Sequence, residues 1–395
     1  NYHKPKITVS PTGVVYLTSV FVGSMSFGAV TLNSHDGMGY LARISRTDGS
    51  FVWTTQFGSG SSNVTNANLT TGTMGYIYLT GCFKGQGRFG SNTFVPANSD
   101  SNTFIMKINS GGSIEWTKTY SGNTEGTSIV VDANNNIYTA GTYLGQANIN
   151  GTSYNSIGNY YSAYFEKLDS NGDLIWIKTY DLNTFDAFEA FPQLAIDSAS
   201  NVFFKCLFGG TVTFENQAFT RQMSSNPNVF KPQILASFNS NGNNLWAAQF
   251  ENPAENAQFG IYHDKANCIA VDQTGLYFTC GGSKFNDVFY SQESGANVFT
   301  AKLTLPYVLG NSGFENENTR TSITPNPTSG AVTIDLSKHS RHVEIAVFNG
   351  LGQLIGTKNF NNVTTASIDL TGQSGIYFLE IKSDNQKVVR KVIKL

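Results

Sequence analysis

The chain is short of charge. Of its 395 residues, 13% are Asp, Glu, Lys or Arg, about half the ~25% of an ordinary soluble domain. Formal net charge is −2, so no chain-wide field exists to hold nucleic acid or an anionic membrane. Residues 1–321 carry 17 basic against 22 acidic side chains (−5), and residues 322–395 carry 8 against 5 (+3). The basic residues of the tail alternate with apolar ones, the pattern of a strand's wet face. Long apolar runs are missing too, none reaching the ~18 residues of a membrane-spanning helix. The N-terminal NYHKPKITVS has no initiator Met and no apolar signal-peptide core, from which a processed or partly represented chain is expected.

Cysteine and histidine are equally sparse. Four cysteines are too few for a disulfide scaffold in a chain this long, and they lack zinc-site spacing. Cys206 and Cys280 stand where other segments have Ser19, Gly81 and Gly141, with Cys82 one place further on. Small buried residues are expected there, a Cys268–Cys280 bridge across one hairpin being the alternative. His3, His35, His263, His339 and His342 are scattered, and no G-x-S-x-G, H-E-x-x-H or P-loop occurs. DSNGD at 169–173 lacks the order of a calcium loop and reads as a turn. Asp132, Asp197 and Asp272 recur at matching positions and read as turn formers. No catalytic residue, metal site or cofactor is expected.

Asn, Ser, Thr and Gly fill the gap, and they punctuate a repeat. DSNGDLIWIKTY (169–180) recurs as NSGGSIEWTKTY (109–120), NSNGNNLWAAQF (239–250) and, more loosely, RTDGSFVWTTQF (46–57). The only tryptophans, Trp53, Trp116, Trp176 and Trp246, lie one per repeat. A second segment keeps the same beat: ITVSPTGVVYLTSVF (7–21), SIVVDANNNIYTAGTY (128–143), LAIDSASNVFFKCLF (194–208) and IAVDQTGLYFTCGG (269–282). A third precedes each Trp segment: YLARIS, FIMKIN, YFEKLD, ILASFN and finally FTAKLT. Period-2 alternation makes these strands, and the Asn/Asp/Gly pairs between them supply positive-φ turns. One short helix is expected at FDAFEAF (185–191).

Four antiparallel strands per ~60 residues, repeated, predict a β-propeller of at least five four-stranded blades, the last incomplete. Each Trp is a natural wedge between blades, since a buried aromatic removes ~150–250 Å² from water. The pattern I-A-V-D, Y-x-T-G, A-K-L-x-S-x-G-x-x-x-W resembles the SBBP-type propeller repeats of bacterial surface proteins over about 7–303. It departs at FFKCLF (203–208). In such a ring the first–second and third–fourth turns share one end. Long irregular loops, 22–39, 84–103, 144–163 and 209–233, share the other, with 181–192 and 251–267 between blades. Loops of that length over a rigid frame favour binding, with Phe185, Phe188 and Phe191 as candidate exposed aromatics. DSA at 197–199 resembles the short O-glycan acceptor motif of exported Bacteroidetes proteins, with Ser198 as acceptor.

SITPNPTSG (322–330) interrupts everything before it. Pro325 and Pro327 remove two backbone donors and hold φ near −65°. The chain cannot continue a ladder there, and Gly330 permits a turn into a new strand. The expected organisation is a repeat domain over 1–305, a linker over 306–321 and a seven-stranded immunoglobulin-like sandwich over 322–395. The tail resembles the type A C-terminal sorting domain of type IX secretion substrates in Bacteroidetes. The motif residues are Pro325, Asn326, Pro327, Gly330, Gly352, Gly375 and Tyr377, with the basic–apolar finish KVVRKVIKL that includes Lys391. That resemblance implies export across the outer membrane to the medium or cell surface. It also implies partners: the outer-membrane translocon, its shuttle protein and a sortase-like processing enzyme. For the repeat domain, a non-enzymatic binding protein or adhesin for a glycan or surface polymer is expected, with an extracellular carbohydrate-active enzyme as the alternative.

Overall fold

The computed structural model of the chain describes residues 5–60, 63–96, 100–184, 191–215, 217–220, 232–250, 269–272, 275–281, 284–285, 288–289, 298–303, 322–349, 353–383 and 386–394. The fold is all-β and divided among many small sheets; the one helical element among the described residues is a 3-10 turn at Thr73–Gly75. The chain separates into two units: Asn1–Ile269 with Thr279–Phe299, and Ala270–Phe278 with Thr300–Leu395. The expected linker at 306–321, most of the expected helix at 185–191 and Cys268 lie outside the described residues.

Each of the first four repeats folds into one four-stranded antiparallel sheet whose strands neighbour one another in chain order. The first holds Lys6–Val9, Val15–Phe27, Val30–Ile44 and Phe51–Phe57; the second Asn63–Thr71, Ile77–Lys84, Asn102–Ile108 and Ile114–Tyr120. The third holds Thr124–Val131, Ile137–Tyr143, Tyr161–Leu168 and Leu174–Thr184; the fourth Gln193–Ile196, Val202–Leu207, Gln233–Phe238 and Asn244–Phe250. The fifth repeat, which lacks a Trp segment, forms three strands: Ile269–Asp272, Gly275–Gly281 and Val298–Leu303. The middle strands of the second and third sheets are buried on both faces. Cys82 and Cys206 are buried and unbridged.

The recurring carboxylates and amides are turn formers. Asp132 Oδ1 accepts the backbone N–H groups of Asn134 and Asn136, both at 2.9 Å, and Asp197 holds Ala199 and Asn201 in the same way. In the third–fourth turns, Asn109, Asp169 and Asn239 each accept the N–H groups two and four residues on. DSNGD is one of these turns.

The same turns join one sheet to the next. Trp53 lies against Gly112, Trp116 against Gly172 and Trp176 against Gly242, so each indole covers the third–fourth turn of the following sheet. Those glycines have φ of +88, +89 and +80, and a Cβ on Gly112 would sit 2.9 Å from the Trp53 ring. Glycine is required twice over, by backbone conformation and by the neighbour's ring. The indole N–H groups of Trp53 and Trp176 donate to the carbonyls of Ser110 (3.2 Å) and Ser240 (3.3 Å). First strands also pack on one another, with Asn68 Nδ2 donating to Thr127 O and the Leu194 N–H donating to Ser128 Oγ.

The connections between second and third strands correct the sequence reading. Where the sequence reading has long irregular loops, the described residues of each carry a β-hairpin: the extended strands around Phe27–Val30 in the first sheet, then Gly87–Phe89 with Asn92–Phe94, Gln146–Ile149 with Thr152–Asn155, and Thr211–Phe214 with Gln217–Thr220. Residues 97–99, 221–231 and the connection 251–267 lie outside the described residues. From the second sheet onward, one face of the hairpin is buried on the outer strand of the preceding sheet. Phe89 packs with Phe57, Ala147 and Ile149 with Tyr120, and Phe214 stacks on Tyr180 at 4.0 Å between ring centroids. The hairpins are therefore staples between sheets, and only their outer faces meet water.

At two of these staples a carboxyl group meets a Lys–Tyr pair. Tyr180 Oη and Lys178 Nζ both donate to Glu215 Oε1, at 2.6 and 2.8 Å, on the hairpin tip of the fourth sheet. One junction earlier the equivalent Tyr120 and Lys118 face a tip residue that is Asn150, and the carboxylate comes instead from Glu166 on the third strand of the third sheet. Tyr120 Oη donates to Glu166 Oε1 at 2.6 Å, Asn150 Nδ2 to Glu166 Oε2, and Lys118 Nζ to Asn150 Oδ1 at 2.8 Å. Glu166 is fully buried; desolvation raises its pKa from the ordinary 4.5 to about 7, with the Tyr120 hydrogen bond opposing.

In the second unit the tail forms a single five-stranded sheet: Ser322–Thr324, Ala331–Asn349, Leu354–Asp369, Gly375–Ser383 and Gln386–Lys394. This corrects the expectation of seven short strands in an immunoglobulin-like sandwich. AVTIDL and VEIAVFN are the two halves of one strand, bent by a register shift between Asp335 and Ser340, and QLIGTKNF and ASIDL are likewise one strand. The first half of Ala331–Asn349 pairs with Ser322–Thr324 and the second half with Gly375–Ser383. The sheet thus curls around Val332, Ile334, Val343, Ile345, Ile368 and Leu379. A bridge between Thr328 and Lys394 brings the last strand back beside the first, so the sheet nearly closes into a barrel.

Two outcomes test this packing. Gly112→Ala is expected to destabilise the protein by roughly 2 kcal/mol or more in urea titration. Gly49→Ala, at the matching turn of the first sheet with φ of +73 and nothing within 4 Å, is expected to cost only the backbone part, about 1 kcal/mol. Because the folded protein keeps a proton on Glu166 between pH 4.5 and about 7 while the unfolded chain releases it, that residue makes stability fall as pH rises through this window. Glu166→Gln should flatten the pH dependence of Tm there, a difference on the order of 3 kcal/mol between its ends.

Candidate sorting-signal site

The Pro-Asn-Pro segment and the final strand, 67 residues apart in sequence, meet in one place. Strand Ser322–Thr324 stops where Pro325 has no N–H to offer the ladder. Asn326 then reaches across: its Oδ1 accepts the Ile393 N–H at 2.9 Å, and two residues on the Thr328 N–H donates to the Ile393 carbonyl at 2.8 Å. Both backbone groups of Ile393 are held by the motif. Thr328, 2% exposed, turns the chain by accepting the Gly330 N–H at 3.0 Å and donating its hydroxyl to Ala331 O at 2.6 Å. The Gly330 carbonyl in turn accepts the Leu370 N–H at 2.9 Å.

The far side of the seam is built from the last strand and the turn before Gly375. Lys394 Nζ donates to the carbonyls of Leu370 (2.9 Å) and Gly372 (2.6 Å). Tyr377 Oη donates to Gln373 O at 2.7 Å, and a Cβ on Gly372 (φ +131) would lie 2.5 Å from that hydroxyl. Gly375 pairs in register with Lys394, and Lys391 with Phe378. Pro325, Asn326 and Pro327 remain exposed, so two proline rings and an amide mark the outside of a seam whose inside is buried.

Of the sequence-assigned motif residues, the structure brings Pro325, Asn326, Pro327, Gly330, Gly375 and Tyr377 to this seam and puts Lys391 in its last strand. Gly352 lies outside the described residues. Thr328, Leu370, Gly372 and Lys394 belong to the site and were not singled out from the sequence. Elsewhere, Ser198 is exposed at the tip of the Asp197 turn and Phe191 is half-buried, while Phe185 and Phe188 lie outside the described residues. Among the described residues no group of three His, Cys, Asp or Glu side chains could hold a metal ion.

Asn326→Ala is expected to release the Ile393 amide. Its hydrogen exchange should accelerate about fivefold, as losing a net ~1 kcal/mol hydrogen bond dictates. Unchanged protection at Ile393 would remove Asn326 from the seam.

Residues 322–395 match the family described as the secretion system C-terminal sorting domain. No curated protein matches the chain. Among solved structures, the chain is similar to a protein of unknown function from Bacteroides caccae (9% identity, TM-score 0.35, 88% of this chain and 98% of that one). It is also similar to a glycoside hydrolase family 32 protein from Bifidobacterium adolescentis (8%, 0.33, 99% and 75%). A third is the extracellular domain of a putative hybrid two-component system from B. thetaiotaomicron (9%, 0.23, 98% and 80%). No helix among the described residues is long and apolar enough to cross a membrane. The tail's match, by contrast, spans the whole Pro-Asn-Pro to Lys394 seam: it makes this chain a type IX secretion cargo, exported to the cell surface or secreted.

Proposed function

We propose that the chain is a surface-displayed or secreted binding protein of the adhesin type, without enzymatic activity. In this reading its repeat domain is a β-propeller of SBBP-type blades. Four consecutive four-stranded meanders, each wedged to the next by one Trp on one turn glycine, support that architecture. The observation that carries the binding reading is the two-sided character of the hairpins. In the third sheet Ala147 and Ile149 are buried while Gln146, Asn148, Ser153 and Asn155 are exposed. A rigid staple that turns amides and hydroxyls outward suits hydrogen bonding to a polyhydroxylated polymer. The translocon, its shuttle protein and a sortase-like enzyme are the partners of the tail in this reading, and Ser198 is an accessible acceptor for O-glycan.

Two measurements test it. Glycan-array screening of the purified chain should reveal polymer binding that weakens when Asn148 and Asn155 are both changed to Ala. Turnover of any polysaccharide in a parallel assay would overturn the non-enzymatic reading. Deleting residues 322–395 should leave the repeat domain in the periplasm; undiminished export of the truncated chain would remove the tail from the sorting step.

A further inference from the structure

The repeats differ in what they do with one cation. Each of the first three sheets has a basic residue on its third strand directly opposite the Trp: Arg43 faces Trp53, Lys107 faces Trp116 and Lys167 faces Trp176. In the second and third sheets this residue closes the junction. Lys107 Nζ donates to Ser170 O at 3.3 Å and Lys167 Nζ to Ser240 O at 2.9 Å, both on the following sheet's turn. Each ammonium also lies over a tyrosine, Lys107 4.1 Å from the Tyr76 centroid and Lys167 5.2 Å from that of Tyr138.

The first junction is not closed in this way. The matching carbonyl, Ser110 O, accepts Trp53 Nε1 but no cation, and Arg43 has no hydrogen-bond or ion-pair partner among the described residues. At that point a cavity of about 400 Å³ opens, lined by Pro11, Val14, Tyr16, Arg43, Met74 and Ser110 among others. Its wall is held from outside: Asn135, on the third sheet, accepts the Thr73 N–H at 2.9 Å and donates to Thr73 Oγ1 at 2.5 Å. Met74, on that fixed turn, has φ of +57 and is 82% exposed. A flexible thioether held out over a cavity is an adaptable apolar cover. Tyr16 is 1% exposed, so its ring forms a firm floor.

We infer that this junction is a binding site for a carboxylate carried on a compact ring. The guanidinium supplies a planar pair of donors that matches a carboxylate, and Pro11, Val14, Tyr16 and Met74 supply an apolar surface for the ring that bears it. An acidic sugar and an alicyclic or aromatic acid share this chemistry. The site lies at the tight-turn end of the sheets, opposite the hairpins, and is independent of the reading proposed for that end.

Calorimetric titration of the purified full chain with sodium glucuronate, sodium cyclohexanecarboxylate and neutral methyl glucoside tests it. At least one of the two acids should bind and methyl glucoside should not; which acid binds tells sugar from hydrocarbon ring. Arg43→Gln, with Tm unchanged, should weaken binding at least about tenfold, since a charge-assisted hydrogen bond is lost. Lys358→Gln, a charge removal in the other unit, should leave it unaltered. If Arg43→Gln does not fold, Met74→Trp, which fills the mouth of the cavity with Arg43 intact, should abolish binding instead. Equal binding of methyl glucoside, no binding of either acid, or wild-type affinity in Arg43→Gln or Met74→Trp overturns the assignment.

Discussion

The contact between an indole and a neighbour's turn glycine is what the repeat unit depends on. A four-stranded sheet of this size cannot bury both faces alone. Stacking requires that one sheet's edge fit another's turn at van der Waals distance. The third–fourth turn supplies a positive-φ position where no side chain is tolerated, and the Trp of the preceding sheet occupies the space that a side chain would have taken. Its N–H then meets a carbonyl two residues upstream of the glycine in two of the three described junctions. In the remaining one, Trp116 Nε1 is buried without a partner and Ser170 O accepts Lys107 Nζ instead. The turn carbonyl thus accepts the indole at the first junction, the ammonium at the second and both at the third.

Much of this frame was legible because it is local. Period-2 alternation and Asn/Asp/Gly turns mark the four strands of each repeat, and the Trp spacing marks the junctions. The hairpins between second and third strands were missed, although their signal is also local. Asn150-Gly151 takes φ of +52 and +80, the two-residue turn that most strongly favours a hairpin. It is flanked by alternating Ala147, Ile149 and Tyr154. Those strands are four residues long, too short to stand out against a polar background, and their buried faces are satisfied by a different sheet.

The tail divides along the same line. A new domain could be read from two prolines that end one strand and prepare the next. Its closure could not, because the hydrogen bonds of Asn326 and Thr328 to Ile393 join opposite ends of the domain and leave no periodic trace. Within Ala331–Asn349 the stretch DLSKHSRH (335–342) has the composition of a turn. In the folded tail that polar stretch is the bend at which one strand leaves its first partner and takes up its second.

The alternate placing of Glu166 and Glu215 has a consequence for how such repeats change over time. What the Lys–Tyr pair meets at both junctions is one carboxyl group within hydrogen-bond reach, whichever piece of backbone delivers it. The carboxyl sits on a strand at one junction and on a hairpin tip at the next, and the tyrosine hydroxyl keeps its acceptor in both. A difference of that kind lowers letter-by-letter likeness between repeats while the junction keeps its hydrogen bonds, so a consensus drawn column by column would discard the very residues that bond to one another.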